Sequence, residues 1–317
     1  MSPRYRKMSP MARRRFLQAA AVAVCTTGCA RVARLMEPAV EHEANPTRFV
    51  LGQRPVAWEV LRDPLTVTWI GHSTFLIRLD GTTILTDPVF GSRIGIRLAG
   101  SITMGPSRLV PPALRLRDLP PLDMVLVSHA HMDHYDLATL RRLERDVPVL
   151  FAKDTTEFIE GFDFTNAQEL DWDESVTVKG VRIEAMRVRH WGKRYPWDRD
   201  RGYNAYLLSK GRHTVLFAGD TAYTASLAGR LARRRVDVAV LPIGSYNPWI
   251  SNHASPEEAW EMFRAVDAAY LVPMHWRTFK LSKEPTFEPM ERLWEAAGPL
   301  RHRIALEGIG QTWNLIT

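Results

Sequence analysis

The chain has 317 residues, a length that suits one domain but also allows two, and its formal net charge is +7. Residues 1–28 contain six of the Lys and Arg residues and no Asp or Glu, so the rest carries a charge of about +1. The basic charge therefore does not indicate a nucleic-acid partner. The chain has two cysteines, Cys25 and Cys29. Cleavage after residue 28 would leave only Cys29, so the mature chain could form no intrachain disulfide.

The N-terminal segment is typical of an export signal. Arg13, Arg14 and Arg15 precede an apolar stretch that is too short to span a bilayer, and this arrangement resembles a twin-arginine signal peptide. Cys29 ends a Thr-Thr-Gly-Cys sequence that resembles a lipoprotein processing site, so we expect its acylation and a periplasmic, membrane-anchored protein. The alternative is a basic amphipathic helix. The predicted segments are a signal peptide at 1–28, a tether at 29–47 and a folded domain at 48–317.

Hydrophobic patterns predict both strands and helices. The segment from Val67 to Asp87 is predicted to be a β-hairpin, because Asp80-Gly81 between two apolar runs is a strong turn signal. Strand-like segments recur between helical patterns, which favours one layered domain. The helices are predicted at Leu137–Asp146, Ala222–Arg235, Glu257–Asp267 and Phe287–Ala297.

The densest group of potential metal ligands comprises His129, His131, Asp133 and His134, directly after the apolar run Met124–Val127. Imidazoles and a carboxylate at this density repel one another on protonation and lose solvation when they are buried unpaired. A divalent cation removes both costs, and zinc accepts such ligands well. A single ion would leave some of these potential ligands unused, so the pattern predicts two ions, most simply zinc. The alternative is a solvated polar loop.

Three further candidate ligands, His190, Asp220 and His275, each follow a strand-like segment downstream of this group. Taken alone, a histidine at a strand end is more often a hydrogen-bonded structural residue, and an aspartate after a glycine is more often a turn or helix cap. Their joint occurrence after the dense group predicts that they complete the metal site.

These ligands, in this order, resemble the motifs of the metallo-β-lactamase superfamily. Flanking segments narrow the resemblance to the branch that contains N-acyl-phosphatidylethanolamine-hydrolysing phospholipase D and its bacterial relatives. The resemblance runs from Arg48 to Gly310 and implies an α/β fold, a four-layer αββα sandwich. The flanking segments are residues 67–75, 85–90, 217–221, 241–246 and 274–279.

The resemblance also implies a ligand set and a mechanism. Two ions about 3.5–4 Å apart can share a water and lower its pKa towards 7, and the bridging hydroxide would attack a phosphorus or carbonyl carbon. Asp133 and Asp220 are therefore expected to act in catalysis as well as in metal binding. The implied ligands are His129, His131 and His190 for one ion, Asp133, His134 and His275 for the other, and Asp220 as the bridge.

Three residues outside the ligand set have candidate roles. Asp87 resembles the superfamily aspartate that orients a ligand imidazole; alternatively it is a turn residue before a proline. His72 either shapes the pocket floor or satisfies a turn. His253 precedes a helix start with Ser255 as N-cap, where anions are favoured. A histidine in a similar context lies at the substrate phosphate of the phospholipase relatives, so the resemblance implies the same for His253; the alternative is a loop histidine.

Two loops rich in aromatic residues bear on the substrate. At the rim of the site, their side chains could receive acyl chains or enter the membrane interface. Alternatively they pack over the core, which we expect of Trp197. Between these loops, Gly202-Tyr203-Asn204 departs from the Leu-Trp-Gly-like string of the phospholipase branch. The loops carry Trp191, Tyr195 and Trp197 after His190, and Tyr246, Trp249 and Ile250 after Ser245.

Three functional hypotheses follow. The first is an exported dinuclear-metal hydrolase that acts on phosphodiesters of lipid type, as a phospholipase D does. The second is a hydrolase of the same fold that cleaves a lactone or another cyclic ester. The third is a lipoprotein that only binds metal or ligand. Intact ligands at every motif argue against the third, and His253 with the aromatic rim argues against the second.

Overall fold

The computed structural model describes residues 63–98 and 102–315. The predicted signal peptide, the tether and Cys29 lie outside these ranges and stay predictions. Within them, no helix combines the length and the apolar character that a membrane crossing requires.

Two β-sheets form the centre of the described structure. The first has the strand order β15-β1-β2-β3-β6-β7-β8, the second has the order β14-β13-β12-β11-β10-β9, and β4 pairs with β5. The first eight strands are β1 Leu65–Gly71, β2 Thr74–Leu79, β3 Thr82–Thr86, β4 Ile96–Leu98, β5 Ile102–Met104, β6 Met124–Val127, β7 Val149–Ala152 and β8 Ala167–Leu170. The others are β9 Ser175–Val178, β10 Val181–Arg187, β11 Asn204–Lys210, β12 His213–Phe217, β13 Val236–Pro242, β14 Ala268–Met274 and β15 Thr312–Asn314.

Alternation along the strands separates two apolar faces of the first sheet. Trp69, Phe75 and Ile84 belong to a large core shared with the second sheet, whereas Ile70 and Leu76 belong to a separate core on the other face. Helices α3 and α4 bury apolar side chains in the shared core, and α1 contributes to the separate one. The predicted αββα sandwich is therefore confirmed. The helices are α1 Leu137–Leu140, α2 Ser226–Leu231, α3 Pro256–Val266 and α4 Glu288–Ala297.

The hairpin and the last two helices agree with the sequence. Asp80 and Gly81 have φ of 43° and 81°, as a tight hairpin turn requires, and Leu79 pairs with Thr82 across it. Helix α3 begins with the predicted capping box, in which the Ser255 hydroxyl accepts from the Glu258 N–H.

The first two predicted helices are wrong in length. Helix α1 ends at Leu140. The chain turns after it, because Leu143 and Val147 pack into the separate core on the other face of the first sheet. Pro148 also disfavours a helical conformation at the residue before it. Helix α2 starts only at Ser226. The N–H of Ala222, in the segment before it, donates to the Arg189 carbonyl instead of to a helical partner.

The edge strand β8 carries a carboxylate that orders a neighbouring loop. Glu169 accepts hydrogen bonds of 2.7–2.8 Å from the N–H groups of residues 154–156. Partial burial raises the pKa of Glu169, but these hydrogen bonds outweigh it and leave the pKa below its ordinary value of 4.5. The ionised form therefore stabilises the fold above that pH, and the stabilisation is lost as the pH falls through the lowered pKa.

Glu169→Gln is expected to lower the free energy of unfolding by about 1–3 kcal/mol at pH 7, because hydrogen bonds to a charged acceptor are lost. The difference from the wild type should shrink as the pH falls below 4.5. Urea unfolding followed at pH 7 and at acid pH measures both effects. Glu160→Gln, at an exposed position, is the matched control and should change little. A pH-independent difference would contradict the assignment.

Candidate metal centre

Strand ends bring the predicted ligands to one place. The dense group follows β6, His190 follows β10, Asp220 follows β12 and His275 follows β14. Gly219, before Asp220, has φ of 58°, and a Cβ there would lie 2.8 Å from Cβ of Ser128 and 2.9 Å from the Asn204 carbonyl oxygen. Only glycine allows β12 to approach the metal loop so closely.

Asp220 lies at the centre of the site. Its Oδ2 is 3.0 Å from Nε2 of His275 and 3.1 Å from Nε2 of His134. The same oxygen is 3.8 Å from Nε2 of His190 and 3.9 Å from Nε2 of His129. One carboxylate oxygen therefore stands between two pairs of histidines.

The first group of potential ligand atoms belongs to His129, His131, His190 and Asp220, and these atoms all lie within 4.8 Å of one another. Nδ1 of His131 is 2.8 Å from Nε2 of His129 and 3.2 Å from Nε2 of His190. Burial lowers the pKa of His131 to about 4 and the pKa of His129 and His190 well below the ordinary value. These imidazoles are neutral near pH 7, as metal ligands must be.

The second group belongs to His72, Asp133, His134 and His275. Oδ2 of Asp133 is 2.9 Å from Nε2 of His72 and 3.2 Å from Nε2 of His275. Burial lowers the pKa of His134 and His275, but the carboxylates of Asp220 and Asp133 outweigh it and raise the pKa of His275 to about 9 and that of His134 well above its ordinary value. A divalent cation here would take the place of those protons.

An unsatisfied polar atom at the centre of the site fits a bound metal. Oδ1 of Asp220 is buried and, within residues 63–98 and 102–315, has no hydrogen-bond partner. Buried polar atoms in native proteins are nearly always paired. The donor set of imidazole nitrogens and carboxylate oxygens suits zinc and similar ions.

Asp87 contacts the predicted ligands from the side away from Asp220. Its Oδ2 accepts from Nδ1 of His134 at 2.6 Å and from the Ser128 hydroxyl at 2.6 Å, and its Oδ1 accepts from the Ser128 N–H at 2.7 Å. The same hydroxyl is 2.9 Å from Nδ1 of His129. Nδ1 of His190 lies 2.9 Å from the Asn252 carbonyl oxygen, so the rings of three predicted ligands each make a hydrogen bond through Nδ1.

His72 lies among the ligand atoms and also forms a turn. With φ of 55°, it stands between β1 and β2, where its N–H donates to the Thr278 hydroxyl and its carbonyl accepts from the Trp69 indole. These backbone contacts agree with the turn alternative, whereas His72 is buried and does not line the cavity beside Asp220. Sequence reasoning missed its 2.9 Å contact with Asp133, as well as the contacts made by Ser128 and Asn252; for Ser128, its place next to the first ligand was an available signal.

Four of the twelve non-glycine residues with positive φ in the described ranges lie around the predicted metal site. Non-glycine residues with left-handed backbone each cost on the order of 1–3 kcal/mol, and such residues persist where the surroundings hold them and where function requires the geometry. Around the metal centre they are His72, Asp87, Ser245 and His275, with φ of 55°, 33°, 65° and 65°.

His253 stands at the open side of the site, three residues before α3. Its Nδ1 is 3.8 Å from Oδ2 of Asp220, and its ring centroid is 5.1 Å from those of His190 and His275. A cavity of about 190 Å³ opens here, with apolar walls from Trp191, Trp249 and Leu281. The cavity therefore has polar side chains at its floor and apolar side chains along its walls.

The aromatic loops differ from the expectation at one residue. Trp197 is 75% exposed and stacks on Tyr195 with an interplanar angle of 3°, so the prediction that it packs over the core is wrong. Trp197 buries one face of its ring against Tyr195 and therefore does not need to reach the core. The divergent string Gly202-Tyr203-Asn204 lies behind the metal loop, where the Asn204 N–H donates to the Ser128 carbonyl.

A protein-family model described as the beta-lactamase superfamily domain matches residues 82–276. The chain belongs to the metallo-β-lactamase superfamily. An uncharacterised protein of Mycobacterium tuberculosis is 35% identical to it over 256 residues, which are 78% of this chain and 68% of that protein. The N-acyl-phosphatidylethanolamine-hydrolysing phospholipase D 1 of Caenorhabditis elegans is 32% identical over 250 residues, which are 73% of this chain and 69% of that protein.

Solved structures of this superfamily share the fold. The crystal structure of a possible metal-dependent hydrolase from Veillonella parvula matches with a TM-score of 0.64 at 18% identity, over 79% of this chain and 99% of that one. The chain therefore belongs to a family of metal-dependent hydrolases. Its clustered histidines and aspartates are able to bind metal.

Proposed function

We propose that this protein is a phosphodiesterase of the phospholipase D-like kind, which acts on phosphodiesters of lipid type with two divalent cations, most simply zinc. The observation that carries the proposal is the position of His253. Its Nδ1 is buried, faces Asp220 at 3.8 Å and has no hydrogen-bond partner within the described ranges. An imidazole N–H beside the metal ligands is suited to a phosphate oxygen.

In this proposal the two ligand groups hold one cation each. The bound cations supply Lewis acidity and ionise water near neutral pH. Asp220 is the shared ligand, because one of its oxygens lies within 3.9 Å of histidines from both groups. Besides Asp220, the proposed ligands are His129, His131 and His190 from the first group and Asp133, His134 and His275 from the second.

His253 itself, more than the helix behind it, would recognise the phosphate. The capping box of α3 already satisfies the N–H groups of Ser255 and Glu258 within the helix start. The N–H of Ala254 donates to the Thr221 carbonyl. Fewer backbone donors are therefore left for an anion than the sequence indicates, which leaves its recognition to side chains of the cavity such as the imidazole of His253.

The surroundings of the site support a lipid substrate at a membrane. Trp191, Trp249 and Leu281 give the cavity apolar walls, as in most ligand sites. Trp197, Trp249 and Ile250 are 75%, 49% and 47% exposed, and such side chains favour the membrane interface. We include in the proposal that these loops approach a membrane, on the periplasmic side if residues 1–28 direct export and Cys29 is acylated.

Substrate comparison tests this function. The purified full chain, loaded with zinc, should hydrolyse bis-p-nitrophenyl phosphate and N-acyl-phosphatidylethanolamine with a kcat/KM at least about tenfold above that for simple lactones, a difference of about 1.4 kcal/mol in transition-state binding. Preference for lactones would support the cyclic-ester hypothesis instead. Metal-loaded protein that turns over neither class would support the binding-only hypothesis, and either result overturns the proposal.

A further inference from the structure

Ser245 lines the cavity beside the predicted metal ligands but is not one of them. It follows β13, whose last residues pair with the end of β14, the strand that leads into His275. Gly244 allows the two chain segments to approach closely, because a Cβ at this position would lie 2.3 Å from the His275 carbonyl oxygen. The serine therefore enters the cavity close to a predicted ligand of the second group.

The hydroxyl of Ser245 has no partner within the fold. The residue is 5% exposed, and its N–H donates to Glu284, but its Oγ makes no hydrogen bond to any residue in the ranges 63–98 and 102–315. Polar side-chain atoms of buried residues are nearly always paired. Because Ser245 lines the cavity, the partner of this hydroxyl must come from the solvent or from a ligand in that space.

The backbone of Ser245 adopts a conformation that serine seldom has. Its φ is 65°, in the left-handed region that glycine, asparagine and aspartate adopt most readily. Other residues persist there when the surrounding structure holds them, and such residues cluster at functional sites. A serine at this position therefore keeps its side chain at a conformational cost, which a role for the hydroxyl would explain.

Glu284 holds the backbone of Ser245 in this conformation. Glu284 is 5% exposed, and its Oε1 accepts from the Ser245 N–H at 2.6 Å and from the Ser282 hydroxyl at 2.6 Å. Its Oε2 accepts from the Asn247 N–H at 3.2 Å, and the Asn247 carbonyl accepts from the Lys283 N–H at 2.9 Å. One buried carboxylate therefore connects the two loops and fixes where the serine side chain begins.

We propose that the Ser245 hydroxyl donates a hydrogen bond to a non-bridging oxygen of the substrate phosphate, and that Glu284 is its positioning residue. A phosphodiester has two non-bridging oxygens, so a second donor besides His253 has an acceptor of its own. Ser245 and His253 line the same cavity. The inference rests on the proposed phosphodiesterase function and adds to it a residue that favours a phosphate over an ester carbonyl, which has one such oxygen.

Isothermal titration of the full-length, zinc-loaded protein with phenyl phosphate tests the contact. Ser245→Ala should weaken this binding about tenfold, because a hydrogen bond to a charged acceptor is lost. Zinc content and the affinity for azide, a small anion that binds metal ions, should stay unchanged. Ser175→Ala, at an exposed serine of β9, is the control. Wild-type affinity of Ser245→Ala for phenyl phosphate would overturn the proposal, and so would an equal loss of azide affinity.

Two further variants separate the contact from a purely structural role. Ser245→Gly should weaken phenyl phosphate binding as Ser245→Ala does, without lowering the urea midpoint of unfolding, because glycine adopts the left-handed conformation readily. Glu284→Gln should weaken binding about fivefold in the wild type but have little further effect in the Ser245→Ala background. Wild-type affinity of Ser245→Gly would overturn the contact, and equal losses in both backgrounds would contradict the positioning role of Glu284.

Turnover of bis-p-nitrophenyl phosphate distinguishes a failure of this inference from a failure of the proposed function. Ser245→Ala should lower kcat/KM about tenfold at unchanged zinc content. A wild type that is active, with a Ser245→Ala variant of the same kcat/KM, would refute the contact and leave the function standing. A zinc-loaded wild type without turnover would overturn the function and this inference together.

Discussion

Asp220→Asn is expected to reduce phosphodiester turnover by about 10³-fold or more and to lower the metal content of the purified protein. The substitution keeps the shape of the side chain but removes its charge, and a neutral amide cannot serve as an anionic ligand shared by two cations. The oxygen it replaces lies within 3.9 Å of four histidines. kcat/KM and elemental analysis on the same preparation measure both effects.

A matched control separates this effect from a general loss of a carboxylate. Asp163, in the described part of the chain, is exposed, and its positive φ of 58° suits asparagine well. Asp163→Asn should retain full turnover and metal content. Circular dichroism of both variants, compared with the wild type, separates a loss of turnover at the site from a loss of the fold. An Asp220→Asn variant with wild-type turnover would contradict the shared-ligand role.

His253→Ala is expected to reduce turnover of bis-p-nitrophenyl phosphate by about 10²-fold while metal content stays unchanged, because the variant loses one positioned donor to the charge that develops on the phosphate. The buried, unpartnered Nδ1 beside Asp220 is the physical basis of this expectation. Turnover and elemental analysis again distinguish the outcomes. His302→Ala, at an exposed histidine, is the control.

Two results would revise the role of His253. Unchanged kinetics would show that its imidazole does not contact the phosphate. Loss of metal would show that it is a ligand, a geometry that the structure allows because ligand atoms of His253, Asp220 and His275 lie within 4.8 Å of one another.

The convergence of the predicted ligands could be predicted from the sequence because its signals are local. Four predicted ligands fall within six residues after β6 of the first sheet, and the other three follow β10, β12 and β14, whose carboxyl ends share one edge of the second sheet. The contact between His72 and Asp133 was not readable, because it joins the β1–β2 turn to the metal loop over 61 residues. No periodicity or spacing encodes such a contact.

Fold class was predictable for the same reason, and helix ends were not. Alternation and the Asp80-Gly81 turn specify the hairpin through neighbouring residues alone. The end of α1 at Leu140 depends instead on how Leu143 packs against the sheet, which is a tertiary effect.

The number of metal ions per chain tests the dinuclear centre most directly. Elemental analysis of the purified full-length protein, after dialysis against metal-free buffer, should give close to two equivalents of a divalent metal such as zinc. Treatment with a chelator should abolish turnover, and added zinc should restore it. One equivalent, or none, in a preparation that remains fully active would contradict the account.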